Sequence, residues 1–177
     1  MKHLKQLLIV LLAVFGIGQM RATNYSFLSS IPSGWQVSPS QNSFESTNNG
    51  SNTYGRGAQW SKGADPTIST TSAISGTITQ VDVVASTNAG ASKASISVTV
   101  GSSPFSPSST YISSGTASAN TTYSFTGSAT GNISVTINNT NNDKAVWISS
   151  ISVTTSSGGG SNKTDLFLNH PFLASKP

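Results

Sequence analysis

Residues 94–101, ASISVTVG, decide the fold class. Ala94, Ile96, Val98 and Val100 alternate without a break with Ser95, Ser97 and Thr99. Successive side chains on a strand point to opposite faces, so this segment has one apolar face and one hydroxyl-bearing face. The same period recurs downstream. NISVTIN (132–138) places Ile133, Val135 and Ile137 on one parity, and TTYSFTG (121–127) does so with Tyr123 and Phe125. TITQVDVVAST (77–87) aligns Ile78, Val81, Val83 and Ala85 only if parity breaks once near Gln80, where a bulge would restore the inward face. KAVWISSISVTT (144–155) is apolar on both faces at Val146, Trp147 and Ile148 and then alternates through Ile151 and Val153. A central strand covered on both sides at its start has that pattern.

Between these segments lie clusters of Gly, Asn, Ser and Pro: STNAGASK (86–93), GSSPFSPSS (101–109) and NNTNNDK (138–144). No 3.6-residue period is sustained after the first two dozen residues. Many short strands at this spacing predict an all-β, antiparallel β-sandwich of about eight to ten strands between Tyr25 and Thr155, as one domain.

The chain begins with a basic MKHLKQ, an apolar LLIVLLAVFGIG and then QMRA, the order of a secretory leader. The apolar core is shorter than the roughly 20 residues of a membrane span. The expected signal peptide is 1–22, cut after Ala22, with an uncleaved anchor as the competing reading. The expected domain is then 23–157, secreted or held at the cell surface and free of the membrane once the leader is removed. A monomer is expected.

Lys2, Lys5 and Arg21 leave with the leader. Arg56, Lys62, Lys93 and Lys144 then balance Glu45, Asp65, Asp82 and Asp143, so the sequence pI of 9.6 is no nucleic-acid signal. A phosphate-backbone binder needs a basic stripe. Charged residues make up 8% of the chain, and hydroxyls and amides carry its polarity instead. With no cysteine there are no disulfides, no thiolate metal sites and no lipid-attachment residue. Residues 158–177 open as a Gly/Ser linker and end in the apolar Leu166, Phe167, Leu168, Phe172 and Leu173. Two readings stand for this segment, which is expected to be disordered: the stub of a longer protein, or a docking tail.

ISGTITQVDVVASTNAGASKASISVTVGSSPF and TYSFTGSATGNISVTINNTNNDKAVWISSISVT resemble the small jelly-roll, galactose-binding-like domains of secreted Bacteroidota proteins. The likeness lies in the ISGTIT strand, the SISVTVG strand, TYSFTG leading to GNISV, and the closing ISSISV. It covers most of 25–155. It implies a jelly-roll sandwich, a non-catalytic accessory module beside an enzyme domain, and a structural calcium in some members.

The residues themselves offer little catalysis. His3 and His170 are the only histidines, one in the leader and one in the tail, so neither a Ser-His-Asp site nor a histidine zinc site is supplied within the domain. The domain's four carboxylates read as solvated surface groups. No enzyme and no cofactor are expected, apart from a weak calcium site at Glu45 beside NNGSN or Asp143 beside NNTNN. Asn/Asp turn chemistry is the preferred reading of those stretches.

SNTYGRGAQWSKGADP (51–66) is where aromatics and charges crowd together. A sugar site needs an aromatic face and a few fixed polar groups, which Asn52, Tyr54, Arg56, Gln59 and Trp60 would supply. The competing reading makes GAQW a strand with Trp60 in the core. The expected function is carbohydrate binding, with an extracellular glycan or cell-surface component as partner and no nucleic acid. The alternative is a structural or adhesive spacer.

Overall fold

The alternating segments are strands in the computed structural model, which describes residues 19–44, 47–49, 52–87, 94–113, 121–140 and 144–157, with only the backbone described at 47–49 and 52–55. The first half holds β1 (Met20–Ser26), β2 (Trp35–Ser38), β3 (Thr47–Asn49), β4 (Asn52–Gly55), β5 (Ala58–Trp60), β6 (Thr67–Thr70) and β7 (Ile74–Thr87). The second half holds β8 (Ser95–Val100), β9 (Ser103–Pro104), β10 (Thr110–Tyr111), β11 (Thr121–Gly131), β12 (Ile133–Asn138) and β13 (Val146–Ser156). No helix occurs among the described residues. Residues 1–18 of the expected leader, Glu45, Asp143 and the tail lie outside them.

Two antiparallel sheets pack face to face as a β-sandwich. One runs β1-β13-β7-β11, and β5 shares with β1 the same edge of β13. The other runs β10-β8-β12-β6-β2, with β9 also on β8. Of the strands β1, β6, β7, β8, β10, β11, β12 and β13 in chain order, the first pairs with the last, the second with the seventh, the third with the sixth and the fourth with the fifth. That nesting is the jelly-roll topology. Beyond these eight, β2 extends one sheet edge, β3 and β4 form a separate hairpin, and β5 and β9 are short edge pieces. These short pieces explain why there are more strands than the eight to ten expected.

Each alternating set buries its apolar parity. Ile96, Val98 and Val100 face Ile133, Val135 and Ile137 across β8–β12, and Val81, Val83 and Ala85 lie on the inner face of the other sheet. The parity break near Gln80 is a bulge: Ile78 and Val81 are both buried, and the β7–β13 register shifts between Thr154 and Thr155, opposite Thr79. A second shift between Ile148 and Ser150 rotates β13, so Val146 and Ile148 point inward before it and Ile151 and Val153 after it.

At one end, Tyr25 of β1 and Phe27 both meet Trp35 of β2 edge-on, with ring centroids 5.1 and 5.7 Å apart. These contacts tie the two sheets together. At another point, Phe105 N donates to Val98 O of one sheet while Ser106 bridges Thr126 of the other. The Phe105 ring lies where a Cβ on Gly127 would come within 2.5 Å of it, so a side chain at 127 would displace this plug.

Candidate functional site

The stretch 51–66 divides between surface and core. β4 takes Asn52 and Tyr54, whose side chains lie outside the described residues, and its backbone lies against β7. Arg56 is exposed in the link between β4 and β5. Trp60 is not a sugar platform, because it is fully buried in the core and its Nε1 donates to Pro39 O at 2.9 Å. The cause is the three-residue alternation of β5: pairing with β13 points Ala58 and Trp60 inward beside Ile148 and Val146, leaving only Gln59 on the outer side. Gln59 is half-buried, and its Oε1 accepts from Ser43 Oγ at 2.7 Å. Of the five residues predicted as a site, Gln59 and Trp60 thus face opposite sides of β5.

The end of the stretch is a strap. Asp65 accepts hydrogen bonds from Asn139 N at 2.6 Å and from the Thr140 hydroxyl. Asn139 Nδ2 donates in turn to Ser61 O, and Ile137 N to Pro66 O. The β5–β6 turn is thereby fastened to the end of β12. The Thr140 hydroxyl, helped by the backbone amides of Asn139 and Thr140, holds the Asp65 carboxyl below its ordinary value against a smaller opposing effect of burial. A depressed carboxylate binds fewer protons folded than unfolded. Its stabilisation is thus complete above the unfolded value of about 3.9 and is lost as pH falls through the folded one. Asp65→Asn should melt below the native protein at pH 7, and the gap should close as pH falls through the depressed folded value of Asp65, where both side chains become neutral. Melting temperatures from pH 2 to 7 check this.

On the far side of the first sheet, Trp147 and Ser86 stand opposite each other across β13–β7, away from the core. Trp147 Nε1, Ser86 Oγ and the neighbouring Thr87 Oγ1 are buried without hydrogen-bond partners. The expected covering of both faces at the start of β13 is seen here, since Val146, Trp147, Ile148 and Ser149 are all buried.

The outer face of the second sheet has a different chemistry. Its cross-strand register sets out ranks of small polar side chains: Ser97–Thr136–Thr67–Ser38, then Thr99–Ser134–Ser69–Gln36. Neighbouring strands lie about 4.8 Å apart, and alternate residues along one about 6.6 Å. Gln36 Nε2 donates to Ser69 Oγ at 3.2 Å. A third rank runs Tyr111–Ser95–Asn138. Tyr111 is 73% exposed, the most exposed large apolar side chain among the described residues. Its neighbour Ile112 is fully buried, and that anchors the strand and turns Tyr111 outward. No charged side chain stands on these ranks. Sequence reasoning missed Tyr111, because its strand is only two residues long and gives no period to read.

Among the described residues no three His, Cys, Asp or Glu side chains gather as a metal-binding group. Glu45 and Asp143, the expected calcium ligands, lie outside those residues.

The fold and this face define an all-β jelly-roll sandwich whose described outer ranks carry hydroxyls and amides and no charged side chain. No family model matches the chain, and no curated protein matches it significantly.

Proposed function

We propose that this chain is an exported, non-catalytic module that binds neutral polysaccharide on the outer face of the β10-β8-β12-β6-β2 sheet. The observation carrying this reading is Tyr111, an exposed aromatic standing in register with Ser95 and Asn138 at the rim of an uncharged face. A pyranose has an apolar C–H face that lies on an aromatic ring and a rim of hydroxyls that pair with Ser, Thr and Asn groups. The lack of charge suits a neutral chain and gives a polyanion no counterion-release term. The resemblance to galactose-binding-like accessory modules points the same way.

Affinity electrophoresis in gels containing neutral polysaccharides tests the reading, with a glycan array to find the best ligand. Tyr111→Ala should weaken retention by about 3- to 10-fold, the range of one aromatic stacking contact. It should leave stability within about 0.5 kcal/mol, since the ring is on the surface. Arg56→Ala should retain binding, and loss there instead would return the site to the β4–β5 link. A native protein that binds no glycan would leave the spacer role.

A further inference from the structure

The first strand includes residues that the leader was expected to take away. Met20, Arg21 and Ala22 pair with Ser156, Thr155 and Thr154 of β13, contributing three of the seven pairs in β1. The ladder extends one residue further, because Ser157 donates to Gln19 O from its backbone N at 3.1 Å and from its Oγ at 3.2 Å. On its other side, β13 is already paired with β7 through Thr154, Thr155 and Ser156. A cut after Ala22 would strip three residues from β1 and leave the edge of β13 open over Thr154–Ser156. An unpaired sheet edge is a template for aggregation, which exported proteins avoid.

The sequence holds a better position four residues earlier. A leader peptidase needs small side chains one and three residues before the cut. Gly16 and Gly18 satisfy this for cleavage between Gly18 and Gln19, directly after the apolar run. A cut after Ala22 would put Met20 at the third position and Arg21 between.

We infer that the chain is processed at the Gly18–Gln19 bond, so that the mature protein begins at Gln19 and keeps the whole of β1. This rests on the export reading made above. The cut is a hydrolysis: water adds across the peptide bond, leaving a carboxyl on Gly18 and a free amine on Gln19. An amino-terminal glutamine then closes on itself. Its α-amino nitrogen attacks the side-chain amide carbon, a lactam N–C bond forms, and ammonia leaves with no change of oxidation state. The carbonyl that accepts from Ser157 is untouched by either step.

The full chain, expressed with its own N-terminus in an exporting bacterial host, provides the test by intact mass and tandem mass spectrometry of the exported protein. The expected N-terminal peptide starts at Gln19, as the free amine or lighter by one ammonia. A start at Thr23, or at any other residue, overturns the site while leaving export intact. An uncut chain kept inside the cell overturns both the site and the export reading. Two variants sharpen the outcome. Gly18→Leu should block or displace the cut, and Ala22→Leu, on an exposed position of β1, should leave it unchanged. The reverse pattern would assign the cut to Ala22.

Discussion

Gly57→Ala is expected to destabilise the domain by at least about 3 kcal/mol, among the largest effects of a single methyl group in this chain. Gly57 has φ +101°, a conformation that costs a side-chain-bearing residue about 1–3 kcal/mol by itself. Space makes it worse. A Cβ built there would lie 2.1 Å from Ile148 O and 2.8 Å from Ser149 Cα, both backbone atoms of β13. A flexible side chain could move aside, but these atoms belong to a strand held by β7 on its other side. They also sit at the register shift between Ile148 and Ser150, where β1 ends and β5 begins along the same edge. Gly57 thus lets the chain enter β5 against a kink in β13. Adding a methyl should detach β5 or force the kink open, lowering the melting temperature by roughly 10 °C. A variant that melts with the native protein would mean that this crossing relaxes at no cost.

The sequence shows which segments are strands and which side of each is buried, because a two-residue period is a local property. The bulge near Gln80 was legible for the same reason: Ile78 and Val81 cannot share a face without an extra residue between them. The doubly buried start of β13 was legible in Val146, Trp147 and Ile148. The nesting of the strands was not. β1 meets β13 at Met20↔Ser156, and no local pattern encodes a partner so distant in the chain. The jelly roll was expected from the resemblance, and the strand pairing is nested in that way. The candidate site was less legible still. Trp60 drew attention because it lies among charges, yet its alternation with Ala58 around Gln59 is the mark of a buried position. Tyr111 drew none, because SSTYISSG shows one aromatic beside one isoleucine and only the pairing with Ser95 tells which of them faces water. Asp65 reads as a surface carboxylate and remains exposed, but its role is to fasten Asn139 and Thr140 across the end of the sandwich.

Trp60→Ala should cost about 3–5 kcal/mol, the range for removing a fully buried large aromatic from a core that cannot collapse around the hole. The site favours the upper end. Trp60 lies between the two sheets on β5, which is held on one edge by three pairs with β13 and on the other by Asn42 N to Gln59 O and Gln59 N to Ser43 O, so the backbone resists closing over the hole. Its indole nitrogen also satisfies Pro39 O at 2.9 Å, and the truncation leaves that carbonyl without its donor. Trp60→Phe separates the two contributions. It keeps most of the buried ring and loses the hydrogen bond, so it should cost only about 1–2 kcal/mol. Urea unfolding measures both: the midpoint should fall in the order native, Phe, Ala, with the slope unchanged. Neither variant should change polysaccharide retention at temperatures where it remains folded, because the ring touches no solvent and the proposed surface lies on the outside of the other sheet. Loss of retention in Trp60→Phe with an unchanged midpoint would contradict its place in the core and make it the platform that the sequence first suggested. A lowered midpoint with full retention assigns Trp60 to the fold and leaves the glycan to Tyr111.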